Sequence, residues 1–306
     1  MFQQVEWSVG ITLAACNGAT GIENRRSSMR KIKIVADTSC DLFELTHVEL
    51  ACAPMKIITA EREFIDDESL DVAEMVDYLD QYKGKSKSSC PNAGDWLAAF
   101  GDADDIFCVT ITSGLSGSYN SACAAKKLYE AEHPGKRVFV IDTLSAGPEI
   151  ALVIEKLEEY ILQGKPYEEI CADISRYLKS TGLIFMLKSL KTFANNGRVS
   201  PIVAKLVGIA GICIVGKASD AGTLEPMQKC KGERRSLDAL VSGLEREGFR
   251  EGKISLGHCQ NEAAAVQLKA LILQKFKNAF VEIHPFRGLC SFYAEKGGVL
   301  VGFEKA

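Results

Sequence analysis

What most limits the fold of this chain is the alternation, from Lys31 to Ser180, of short apolar runs with longer segments whose apolar residues recur at helical spacing. "KIKIVADT", "DIFCVTIT" and "KRVFVIDT" are apolar almost throughout, the pattern of strands buried on both faces of a sheet. "VELACAPMKIIT" reads as one further extended stretch. "LDVAEMVDYLDQY", "GDWLAAFG", "PEIALVIEKLEEYILQG" and "YEEICADISRYLKS" read as helices, as does "SYNSACAAKKLYEAE", opened by Ser and closed by "HPG". Strands joined through helices by short turns predict an N-terminal α/β domain with a parallel sheet covered on both faces.

After Thr181 the texture changes. "GLIFMLKSL" and "GICIVGK" are apolar strands around a polar stretch, "KTFANNGRVSP", and "TLEPMQK" follows as a hairpin partner. A helix over Arg234–Glu247, the strand "KISLGHC", the helix "EAAAVQLKALILQKF" and the strands "AFVEIHPF" and "VLVGFE" complete a smaller C-terminal two-layer α/β domain. The expected division is residues 31–180 and 181–306, with 1–30 a disordered N-terminal extension. "VGITLAAC" (Val9–Cys16) has the outline of a lipoprotein box, but the segment before it carries Glu6 and no Lys or Arg. Met29 is therefore read as the natural start.

Composition narrows the function classes. A net charge of -4 leaves no basic footprint for phosphate neutralisation, which argues against nucleic acid. No run of 18 apolar residues exists, so stable membrane insertion is not expected. The 11 cysteines form an odd set without a C-x-x-C pair, which argues against structural zinc and against a disulfide scaffold. Reduced thiols point to the cytoplasm.

The chemistry concentrates where a strand becomes a helix, in "FCVTITSGLSGSYNSA" (Phe107–Ala122). "GLSGS" is one residue from the nucleophile elbow G-x-S-x-G, with Ser118 in the last place, and His258 is the one plausible base. The alternative preferred here is anion binding. Thr112, Ser113, Ser116 and Ser118 would donate hydrogen bonds, Gly114 and Gly117 would admit the ligand to the backbone, and the helix N-terminus would supply free amides. An ordinary Ser-rich capping turn is the simpler reading. A second polar loop, "KSKSSCPNAGDW", repeats the hydroxyls at Ser86, Ser88 and Ser89.

Taken together these segments resemble the DegV family of bacterial fatty-acid-binding proteins over residues 31–306. "DTSCDL" (Asp37–Leu42) matches the family's D-S-T-x-D-L, "KSSCP" its T-T-S-Q-P, and "TSGLSGSYNSA" its S-S-G-L-S-G-T-Y-x-S-A. "VIDT" and "FANNGRVS" match V-I-D-S and L-x-x-G-G-R-I-S. The resemblance implies a non-enzymatic carrier without a cofactor, holding one long-chain fatty acid between two domains and handing it to a fatty acid kinase. It places the carboxylate on Ser88, Ser89 and Ser113, helped by Thr112, the amides around Gly114 and the position of Cys290, where the family often has His. Ser88 and Ser113 are thus expected to converge, and Arg198 corresponds to an arginine implicated in kinase docking. Cys213, Ile214, Cys230 and Cys90 replace the family's Lys-Pro, Arg and Gln, a weaker anion field that Lys56 would have to offset. A hydrolase or transferase using Ser116, or a thiol at Cys90 or Cys290, is the rival reading.

Overall fold

The computed structural model describes residues 30–199 and 211–306. The Val9–Cys16 segment, Met29 and Ser200 lie outside the described residues. In chain order the first half runs β1 (Ile32–Asp37), β2 (Glu49–Ala53), β3 (Lys56–Ile58), β4 (Glu63–Ile65), α1 (Val72–Gln81), β5 (Lys87–Ser89) and α2 (Ala93–Phe100). It continues through β6 (Asp105–Thr110), α3 (Ser118–Glu132), β7 (Arg137–Asp142), α4 (Pro148–Leu162) and α5 (Tyr167–Tyr177).

β2, β1, β6 and β7 lie side by side in that order, all parallel. Strand alternation sorts their side chains into two layers. Ile34, Ala36, Phe107 and Val109 pack with Ile150, Val153, Ile154 and Leu157 of α4 and with Ile170 and Ile174 of α5. Val35, Ile106 and Cys108 face Trp96 and Phe100 of α2 and Ala122, Ala125 and Tyr129 of α3. Helices on both faces explain why these strands read as continuous apolar runs. The stretch "VELACAPMKIIT" is not one strand: Pro54 separates β2 from β3, and β3 turns away to pair antiparallel with β4 and β5 in a small sheet of its own.

The second half comprises β8 (Thr181–Leu187), α6 (Lys191–Asn195), β9 (Ile212–Ala218), β10 (Leu224–Lys231), α7 (Glu233–Arg246), β11 (Gly252–His258), α8 (Glu262–Lys275), β12 (Ala279–Pro285), α9 (Gly288–Ala294) and β13 (Val299–Glu304). Its six strands are ordered β10-β9-β8-β13-β11-β12, antiparallel except for β11 with β12. One face is covered by α7 and α8 through Leu237, Leu240, Leu244, Ala265, Leu268 and Ile272.

The other face looks back at the first half, and α4 lies between the two sheets, touching β1 and β6 on one side and β8, β11 and β13 on the other. Its residues Pro148 to Ile154 are all buried, the signature of a helix enclosed all round. Gly302 of β13 makes that approach possible, because a Cβ there would stand 2.5 Å from the Glu149 amide nitrogen. The chain is thus a mixed α/β protein with an N-terminal parallel sheet and a C-terminal mixed sheet.

Candidate functional site

A cavity of about 320 Å³ opens where the two sheets meet, within the ~300–1,000 Å³ typical of small-molecule sites. It lies at the carboxyl ends of the parallel strands, walled there by Ile111 and Thr112 after β6 and by Leu144, Ser145 and Ala146 after β7. On the opposite side the two-residue period of β8 turns Leu183, Phe185 and Leu187 into the cavity, while Ile184 and Met186 join the core beneath α7 and α8. Met55, Leu224, Leu289 and Leu300 complete a largely aliphatic interior.

The polar groups gather at the rim. In β5, Ser88 stands opposite the buried Ile57 and so shares its inward face, whereas Lys87 and Ser89 are exposed, Ser89 still bordering the cavity at its rim. The Ser88 hydroxyl meets the Tyr293 phenol of α9 at 2.8 Å. Arg198 is exposed beside them and donates from Nε to the Leu115 carbonyl at 2.8 Å and from Nη1 to the Asn196 carbonyl at 2.6 Å. Gly117, at the start of the 15-residue α3, lines the same rim and has no side-chain cap. Among the described residues the cavity wall contains this one guanidinium and no Asp, Glu, His or Lys. Such a site presents donors and one positive charge to whatever enters, above a greasy interior.

The hydroxyl-rich turn is used differently from the sequence expectation. Asp37, fully buried at the end of β1, accepts from the Ile111 amide at 2.9 Å, from the Ser118 hydroxyl at 2.6 Å and from Ser39. Ser118 therefore ties α3 to the sheet and is not a ligand group. Thr110 donates to the Ile141 carbonyl at 3.2 Å. Thr112 does line the cavity, but its hydroxyl is committed: it donates to the Gly222 carbonyl at 2.9 Å and accepts from the Gly114 amide at 3.0 Å. Gly114 serves the same clasp, since a Cβ on it would stand 2.5 Å from the Ala221 carbonyl. Ser113 is exposed and outside the cavity wall, its amide held by Asp142 Oδ1 at 3.0 Å. Ser88, expected to converge with Ser113 on one head group, meets Tyr293 at the wall, and of the turn's side chains Ser116 is the hydroxyl left there, accepting the Ser118 amide at 3.2 Å.

Residues 31–306 match the model of a family described as "Uncharacterised protein, DegV family". The chain belongs to the DegV family. A DegV domain-containing protein of Streptococcus pneumoniae R6 is 42% identical over 276 residues, 89% of this chain and 98% of that relative. The fold of a DegV family protein from Eubacterium eligens, loaded with heptadecanoic acid, superposes with a TM-score of 0.88 at 42% identity, covering 90% of this chain and 100% of that one. The Streptococcus pneumoniae fatty acid kinase (Fak) B3 protein, loaded with linoleic acid, does so with a TM-score of 0.88 at 41% identity and the same coverage.

In this DegV chain an element that sequence reading missed, α9, carries both Cys290 and Tyr293 to the cavity. It has no local N-cap, and its donors are satisfied from far along the chain. The Asp66 carboxylate accepts from the Gly288 and Leu289 amides, each at 2.8 Å, and Asp41 Oδ1 accepts from the Arg287 amide at 2.7 Å. Burial pushes the Asp66 carboxyl up to about 6 and the Asp41 carboxyl up to about 8 against the pull of these amides. Cys290 lines the cavity but is nearly fully buried, its thiol donating to the Ser39 carbonyl at 3.4 Å, and burial followed by neighbouring Asp41 drives it well above the ordinary thiol range.

Burial raises Cys90 as well. Cys290 is buried without a cation beside it, and at the half-buried Cys90 the cost of burial outweighs the pull of Arg198 and the Gly117 amide, so neither thiol is activated. None of the four histidines lines the cavity, and burial lowers the pKa of His258. Ser116 consequently has no histidine beside it to act as base. Lys56 pairs with Glu63 at 3.1 Å outside the cavity and offsets nothing there.

Proposed function

We propose that this protein is a carrier that holds one long-chain fatty acid in the cavity between its sheets and presents the acid end at the rim to a fatty acid kinase. The observation that carries this reading is the composition of the wall: an aliphatic interior, hydroxyls at Ser88, Ser89 and Tyr293, one guanidinium, and no acidic side chain to repel a carboxylate. A carboxylate leaves water only where hydrogen bonds replace its hydration, and the rim offers them. Each buried methylene contributes about 0.8 kcal/mol, so an acyl chain is retained without covalent attachment. The fatty acids bound by the Eubacterium eligens and Streptococcus pneumoniae relatives support the same occupant, and the name of the latter supports the partner. Arg198, exposed at the rim, is available to that partner.

Among the described residues no helix is long and apolar enough to cross a membrane. The described cysteines are free thiols, which suits the cytoplasmic setting assigned to the carrier.

Extraction of the purified protein followed by mass spectrometry tests the reading. One equivalent of long-chain fatty acid is expected. Repeated preparations that carry none, and a delipidated protein that takes up none, would sink it.

A further inference from the structure

We infer that Tyr293, paired with Ser88, is the hydroxyl that recognises the anionic head group and distinguishes a free acid from its neutral derivatives. The inference rests on the carrier reading and adds a ligand-reading residue to it. Cys290 lines the cavity but is poorly suited to that purpose, because its thiol is spent on the Ser39 carbonyl. One helical turn later on the same face of α9, Tyr293 reaches the rim.

The pair has the right donor count. Two hydroxyls share one hydrogen bond at 2.8 Å, in which one proton is used and the other remains free for a ligand oxygen. No other side-chain acceptor is bonded to the phenol, so nothing among the described residues competes for that proton. Arg198 lies close enough to bear on the phenol electrostatically, and its Nη2 has no partner among the described side chains and carbonyls.

The ring is also held in place. It packs on Phe193 with centroids 4.7 Å apart and edge-on to Phe292 at 4.9 Å, and the helix beneath it is pinned by Asp66 and Asp41. A donor fixed in this way loses little freedom when a ligand arrives. A phenol that only stapled β5 to α9 would instead act on the protein with or without ligand, and on every ligand alike.

Binding of heptadecanoic acid and of its methyl ester to delipidated protein, measured by displacement of a fluorescent fatty acid, separates the two roles. Tyr293→Phe keeps the ring and removes the donor. Its affinity for the acid is expected to fall about tenfold or more, as for a hydrogen bond to a charged group, while the ester binds as to the unaltered protein. Ser88→Ala, on a small exposed strand, is expected to show the same selective loss and covers the case in which the tyrosine variant fails to fold. Equal affinity for the acid in Tyr293→Phe, or acid and ester weakened together, overturns the assignment while leaving the carrier reading intact. Unaltered protein that binds neither overturns both.

Discussion

Single glycines of like conformation do unequal work, as Gly222 at the junction of the lobes and Gly164 after α4 show. Gly222 has φ +70°, and a Cβ on it would stand 2.0 Å from the Thr112 hydroxyl oxygen and 3.0 Å from the Leu144 Cα. Gly164 has φ +69° with nothing within 4 Å. Both substitutions to alanine incur the backbone cost of the left-handed region, about 1 kcal/mol, but Gly222→Ala also forces the clasp apart and should cost about 1–3 kcal/mol more. Urea denaturation of the two variants side by side checks this, and equal losses would mean that the clasp carries no load. Asp41 yields a second expectation. Its folded carboxyl titrates at about 8 against an ordinary 3.8, so between those values the folded chain holds a proton that the unfolded chain has released. Stability from this group is full below the lower value and is lost as pH rises through the upper one. Asp41→Asn should therefore flatten the decline in denaturation midpoint between about pH 4 and pH 8. An unchanged slope would refute the assignment.

At the scale of elements, legibility followed where the stabilising partners sit in the chain. α3 begins and ends at the Ser and Glu that its sequence marks, because its amphipathic spacing is local. β5 is three residues of Lys and Ser that become a strand only by pairing with β3, so sequence reading sees a polar loop. α9 is harder still: seven residues starting at a glycine, with acceptors 222 and 223 positions away in Asp66. Even the glycine is explained by that distant group, since a Cβ on Gly288 would stand 2.6 Å from Asp66 Oδ1. The rim serine on β5 was thus legible through its family motif, whereas its phenol partner was not, because no local pattern announces the helix that carries it. The same dependence predicts fragility. Asp66→Ala leaves two helix-end amides unpartnered and should lower stability by about 1–3 kcal/mol, with a larger fractional loss of fatty-acid affinity than a surface substitution of equal destabilisation. Thermal melts and binding measured on the same samples decide it; a stability loss with affinity untouched would show that α9 does not need its cap to hold the rim.

For the whole molecule the question is whether two sheets make two folding units. α4 argues that they do not: its buried residues face both sheets, and Glu149 at its start takes hydrogen bonds from Ser145 at 2.5 Å and from Thr181, the first residue of β8, at 2.7 Å. Neither sheet can shed the other without exposing the buried apolar residues of this helix to water and breaking the Thr181–Glu149 hydrogen bond. Unfolding should then be a single transition. Trp96, fully buried between α2 and the parallel sheet, reports the first lobe by fluorescence, while far-UV circular dichroism reports both. The two probes should give one coincident urea curve for delipidated protein. Added fatty acid should shift both together by RT ln(1 + [L]/Kd), about 2.7 kcal/mol at a hundredfold excess over Kd, because the ligand binds only where the lobes meet. Separate curves, or a ligand shift confined to one probe, would mean that the lobes part before they melt and that the cavity is a cleft between independent domains.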